Sequence, residues 1–195
     1  METLNITTSI AKIIQERRSI FPHSYNGKTI SKEVLTELLE QANYAPTHRL
    51  TEPWRFKVIG GEKRDALGNL LAELYKNKVG EENMSALKYK KTAQKPGLCS
   101  HVIAICMQRD PEERIPEWEE VASVAMAVQN IWLAGTAEGI GMYWSSPSTI
   151  ASAACREFLN LKEGERCLGF LFMGYHDLPV QEAKRTPMAE KVEWL

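Results

Sequence analysis

The run "VASVAMAVQNIWLAGTAEGIGMYW", from Val121 to Trp144, constrains the fold more than any other stretch of the chain. Its first part is rich in alanine and apolar almost all round a helical wheel. It therefore reads as a long helix, beginning near Pro116 and buried on most sides. Gln129, Asn130, Thr136 and Glu138 interrupt the run. A membrane span wants about 20 mostly apolar residues, so a buried helix is the better reading.

Strands are scattered between helices. "WRFKVIG" alternates apolar and polar residues until Gly60 and Gly61 stop it. "HVIAICMQ" is continuously apolar, which predicts a strand central in a sheet. "IGMYWSS" reads as a strand leading into a loop, and "CLGFLFMGY", punctuated by Gly169 and Gly174, as the last strand. Short helices are expected over Ile10 to Arg17 and Ala151 to Leu159. A clearer one has Ser31 as its cap, a stripe of Val34, Leu35, Leu38, Leu39 and Ala42, and Pro46 as its stop. Another carries Leu67, Leu70, Leu71 and Leu74 on one face. The lysine-rich segment from Lys76 to Lys95 reads as a helix pair or lid with solvated lysines. The pattern is that of one α+β or α/β domain spanning residues 1–195. Its tail, about 176–195, has little periodicity but ends in "VEWL", which calls for packing on its own domain or on a partner subunit.

Composition excludes some functions. Formal net charge is -1, from 24 basic and 25 acidic residues, so neither nucleic acid nor an anionic membrane surface is expected as a partner. The N-terminal "METLNITTSIAKIIQERRS" has no secretory pattern, and a cytoplasmic protein is expected. Cys99, Cys106, Cys155 and Cys167 form no C-x-x-C pair and have no histidine at zinc-ligand spacing. They read as reduced, buried thiols, with no metal site.

Two stretches carry the candidate chemistry. Arg17 and Arg18 beside Ser19 are good phosphate donors, because the guanidinium fork matches phosphate oxygens. At a helix C-terminus they also simply meet the dipole. The loop "APTHRLTEPWRF" holds His48 and Arg49 between Pro46 and Pro53, which stiffen its path, and Trp54 reads as an anchor at the strand start. Gly135, Gly139 and Gly141 do not have dinucleotide-binding spacing and follow a helix rather than a strand. No P-loop, G-x-S-x-G elbow or H-E-x-x-H appears. His23, His101 and His176 read as structural or exposed.

Taken in order, "RRS", "APTH…PW-F", the alanine-rich helix running into "EGIGMYWSS", "GFLFMGY" and "KRTPMAEKVEW" resemble the nitroreductase family of FMN-dependent oxidoreductases, in its compact bacterial branch. The resemblance spans nearly the whole chain. It implies an α+β fold with a central, mostly antiparallel sheet flanked by helices, and a homodimer with FMN at the interface. It also implies that the tail packs on the partner subunit. Arg17, Arg18 and Ser19 would hold the FMN phosphate and ribityl chain, and Arg185 would reach the phosphate from the tail. Pro46, Thr47 and His48 would lie along the flavin of the other subunit. Trp144, Ser145 and Ser146 would pass the isoalloxazine ring. No catalytic side chain is implied, because the flavin carries the hydride chemistry. The implied activity takes a hydride from NAD(P)H and reduces nitroaromatic, quinone or related small-molecule acceptors by a ping-pong mechanism. The alternative is a non-catalytic flavin carrier or sensor, and a plain helical interaction protein would be colourless. Phe21, Leu50 and Glu52 depart from the residues that many relatives have at those positions.

Overall fold

The computed structural model describes residues 6–180 and 182–195; Met1–Asn5 and Gln181 lie outside the described residues, and with them the start of the N-terminal stretch and one tail position. Four strands form one sheet in the order β1-β2-β4-β3: β1 (Trp54–Ile59), β2 (His101–Gln108), β3 (Ile140–Ser145) and β4 (Glu165–Tyr175). Every neighbouring pair is antiparallel. The parallel element among the described residues is an isolated bridge between Ser19 and Met142. β2 is interior, and Val102 to Met107 are all buried. A strand covered on both faces has no solvent side, which is why "HVIAICMQ" shows no alternation.

Among the described residues, six α-helices surround the sheet: α1 (Ile6–Glu16), α2 (Lys32–Ala42), α3 (Lys63–Val79), α4 (Ala86–Gln94), α5 (Glu117–Ala137) and α6 (Ala153–Phe158). Ser31 caps α2 as expected, accepting from the Val34 amide. That helix ends at Ala42, ahead of Pro46, so the proline does not itself stop it. α6 begins at Ala153, later than its sequence suggested, because the Ser152 hydroxyl caps it.

The sheet has two differently built faces. On one, Ile103, Ile105, Met142, Leu171 and Met173 pack against α2 and α5. On the other, Val102, Ala104, Cys106, Phe170 and Phe172 pack against Leu67 and Leu71 of α3 and Leu159 beyond α6. All four cysteines are free and buried. Trp54 is the expected anchor: it is buried, and its indole N–H donates to Asn43 Oδ1 at 3.3 Å.

Two expectations need correction. α5 is not covered on most sides. It buries Val124, Ala127, Val128, Ile131 and Trp132 against the sheet, but Met126 remains 39% exposed and Trp118 69%. Helical periodicity reports which residues are apolar, not which neighbours cover them. Secondly, the lysines between Lys76 and Lys95 are not all a solvated face. Lys95 is half-buried, and Lys78 and Lys88 border the same cavity as it does.

The first turn of α5 is fixed by a contact that the sequence reading missed. Glu120 is fully buried and pairs with Arg109, while its other oxygen accepts the Asp110 amide at 2.8 Å. Asp110 in turn receives Arg114 through Nε and Nη2 at 2.8 and 3.1 Å. This side-chain pairing holds the Asp110 carboxyl well below its ordinary value, at about 2.

Candidate functional site

α1 ends at Glu16, so Arg17, Arg18 and Ser19 come just after it, with the Arg17 amide still donating to the Ile13 carbonyl at 2.9 Å. That stretch is tied to the sheet edge. Ser19 bridges to Met142, and the Ile20 amide donates to the Met142 carbonyl at 3.0 Å. Arg17 lies 4.8 Å over the Trp132 ring of α5. Arg18 Nη1 donates to the carbonyls of Gln15 and Arg17 at 2.6 and 2.7 Å, which leaves its buried Nε without an acceptor.

The tail returns to this point. Arg185 borders the same cleft as Arg17 and Arg18, together with Val180 and Ala183. Burial, and then the nearby charges of Arg18 and Arg185, push the Arg17 guanidinium below its ordinary value. Among the described residues, none of the three guanidiniums is in an ion pair. Glu16 and Glu182 also border the cleft, and Glu16 pairs with Lys12 at 3.9 Å. Three cations from distant sequence, one with a buried unused donor, form an arrangement suited to an anion carrying more than one charge.

The loop before β1 is stiff and strained. Arg49, Leu50 and Glu52 all have positive φ, at 53°, 53° and 40°. Thr47 Oγ1 holds the turn by accepting the Glu52 amide at 3.1 Å. His48 Nδ1 lies 2.6 Å from Glu119 Oε2, which ties the loop to the first turn of α5. Pro46 and His48 are exposed. The loop and Arg17 therefore both rest on α5, but at opposite ends. Glu119 and Trp132 are 13 residues apart in the helix, which is about 20 Å at 1.5 Å per residue. The structure brings Arg17, Arg18 and Arg185 together and holds Pro46, Thr47 and His48 away from them.

Trp144 and Ser145 end β3, and Ser146 follows. Trp144 packs with the α5-side core, and its buried indole N–H has no partner among the described residues. Ser146 Oγ donates to the Leu168 carbonyl at 2.9 Å. Gly169 makes this junction possible. A Cβ there would strike Trp144 Nε1, and would lie 2.7 Å from Ser146 Oγ and 2.9 Å from the Ser145 carbonyl. The glycines of "GTAEGIG" have packing reasons too. A Cβ on Gly135 would meet Met142, and one on Gly141 would sit 2.7 Å from Ile20 Cβ.

Comparison with known proteins decides the family. The model of the nitroreductase family matches residues 14–175. The chain belongs to the nitroreductase family. A nitroreductase-like family protein from Bacillus cereus is 29% identical, with a TM-score of 0.81 covering 100% of this chain and 98% of its own. YfhC of Bacillus subtilis, which carries the provisional name NAD(P)H nitroreductase, is 29% identical over 191 residues, 97% of this chain and 96% of YfhC. The FMN-dependent nitroreductase NfnB of Mycobacterium smegmatis, solved with NADPH, shares the fold at a TM-score of 0.78 and 16% identity, over 98% of this chain and 100% of its own. The antiparallel α+β architecture is thus that of the nitroreductases. No helix of the described residues is long and apolar enough to cross a membrane.

Trp132, Glu119 and Gly169 take part in the site's construction, but the sequence reading assigned none of them a role in the site. A tryptophan inside an apolar helix and a glycine inside an apolar strand give no local sign of what they touch.

Proposed function

We propose that this chain is an FMN-dependent oxidoreductase acting as a homodimer, with NAD(P)H as donor and a nitroaromatic, quinone or related small molecule as acceptor. Bound FMN would supply the hydride chemistry, taking up reducing equivalents from NAD(P)H and releasing them to the acceptor in a second half-reaction. The carrying observation is the convergence of Arg17, Arg18 and Arg185, without carboxylate partners among the described residues, beside the exposed Ser19. These residues fit a phosphate dianion. Its charge would offset the burial and the neighbouring positive charges that together push Arg17 down, and its oxygens would give Arg18 Nε an acceptor.

Trp144, Ser145 and Ser146 follow the same sheet edge. Met142, which pairs with Ser19, is two residues before Trp144, or about 7 Å along a strand. This supports one elongated ligand running from the arginines to the end of β3. The chain's own work is then to bind, orient and shield: arginines at the anionic end, Trp144 and the serines at the other.

The loop of Pro46, Thr47 and His48 is too far along α5 to join the arginines of its own chain. A two-fold axis through the middle of α5 would pack two such helices antiparallel and bring the loop of one subunit to the arginines of the other. The exposed Met126 lies near the midpoint of α5, as such an axis requires. The tail, with Trp194 94% exposed, is long enough to lie on the partner and complete a single domain of residues 1–195 per subunit.

A visible spectrum taken anaerobically before and after NAD(P)H tests the reading. A flavin spectrum that bleaches is expected. A flavin spectrum that persists would leave the carrier or sensor role, and a colourless protein that takes up no FMN would contradict the cofactor assignment.

A further inference from the structure

Arg17 stands where its own charge is disfavoured. It is half-buried and shares a cleft with Arg18 and Arg185. Burial and those two charges push its guanidinium below the ordinary value. Among the described residues it is in no ion pair. Arg18 is fixed by two backbone carbonyls. Arg17 has a different support: its Cζ lies 4.8 Å from the centre of the Trp132 ring.

Packing alone does not account for an indole at this point of α5. Trp132 is 8% exposed and joins the core beside Val128, Ile131 and Met142. Its N–H is buried without a partner among the described residues. A buried donor without an acceptor is costly, and leucine would fill an apolar place without that cost. What leucine lacks is an electron-rich ring face. Tryptophan attracts a cation more strongly than the other aromatic side chains, and the attraction grows where water is excluded. The ring is also carried on a rigid element, since Val124, Ala127, Val128 and Ile131 bury α5 against the sheet. Among the described residues lining the cleft Trp132 is absent, so it reaches a ligand there only through Arg17. Glu16 and Glu182 do border the cleft, and a ring that holds Arg17 keeps it from pairing with either.

We infer that Trp132 is a positioning residue for the anionic end of the cleft: its ring holds the Arg17 guanidinium in place, so that the arginine meets the phosphate of a ligand already placed. A side chain fixed in advance gives up less rotamer freedom on binding, which raises affinity with no new contact to the ligand. The inference rests on the flavin reading for the identity of that ligand, FMN.

Equilibrium dialysis of the full-length protein against FMN, and against riboflavin, which lacks the phosphate, tests it. The wild-type chain should bind FMN more tightly than riboflavin. Trp132→Leu should weaken FMN about tenfold and leave riboflavin within about twofold. Trp132→Phe, which keeps a ring, should weaken FMN only about threefold. In an Arg17→Ala background Trp132→Leu should weaken FMN no further, because the residue it acts through is gone. Should Trp132→Leu fail to fold, Trp132→Phe in both backgrounds carries the same test. Full FMN affinity in Trp132→Leu, equal losses of FMN and riboflavin, or an undiminished loss in the Arg17→Ala background would overturn the inference and leave the flavin reading standing. A wild-type chain with no preference for FMN over riboflavin would overturn both.

Discussion

The two faces of the sheet are finished differently. The face bearing α3, α4 and α6 is closed within the chain: Val102, Ala104, Phe170 and Phe172 meet helices, and Cys99, Cys106, Cys155 and Cys167 are sealed there. Burial raises Cys99 to about 12, and Cys167, hydrogen-bonded with Cys106, also stands at about 12, so neither is a thiolate at neutral pH. The α5 face is left open at Met126 and Trp118, and its arginine cluster and loop are held at opposite ends of one helix. A chain that finishes one face and leaves the other incomplete invites a second copy on the open side. On this account the flavin site belongs to the pair of subunits.

The most damaging change to this contrast is Met126→Glu. A charge at the centre of the open face should dissociate the dimer and lower flavin occupancy by at least about tenfold in the same step. Sedimentation and the flavin-to-protein absorbance ratio follow the two effects, and a monomer that keeps its flavin would break the link between them. Arg18→Ala should weaken FMN by about 10- to 100-fold while the dimer persists, which equilibrium dialysis measures. Gly68→Ala probes the closed face. Its Cβ would strike the Ala93 carbonyl oxygen and force α4 from α3. A stability loss of about 1 to 3 kcal/mol is expected in denaturant, with flavin occupancy retained.

The smallest effect is electrostatic. Asp110 has its folded value lowered to about 2 from an ordinary 3.8 by the Arg114 side chain. A lowered folded value means that its stabilisation is fully present above the ordinary value and is lost as pH falls toward about 2. Asp110→Asn should remove its share of the Tm decline in that acid window and so make the decline shallower there. An unchanged acid profile in the variant would remove Asp110 from the account.

Much of the fold was legible. β1 showed itself by alternation, β2 and β4 by continuous apolar runs, and α2 by its Ser31 cap. The order of the strands was not, because each pairing joins residues far apart in sequence, such as Val102 of β2 with Phe172 of β4. The open side of α5 was hidden for a different reason: apolar residues look alike whether their cover comes from the same chain or another. The arginines stood out as donors, but their convergence depends on a tail with no periodicity to read. Lys88 and Lys95 sat in a segment that looked like ordinary solvated charge, and only the rings of Tyr75, Tyr143 and Phe172 distinguish them. The positive φ values at Arg49, Leu50 and Glu52 had no sequence sign, since none of these is glycine or asparagine.

The central claim, a site shared between subunits, is tested most directly by subunit complementation. One chain would carry Arg17→Ala with Arg18→Ala, the other Pro46→Ala, Thr47→Ala and His48→Ala, with different tags to isolate the heterodimer. Neither homodimer should retain flavin. The heterodimer should regain one intact site, formed by the arginines of the second chain and the loop of the first, and so bind a single flavin. A heterodimer as empty as its parents would contradict the account and return the whole site to one chain.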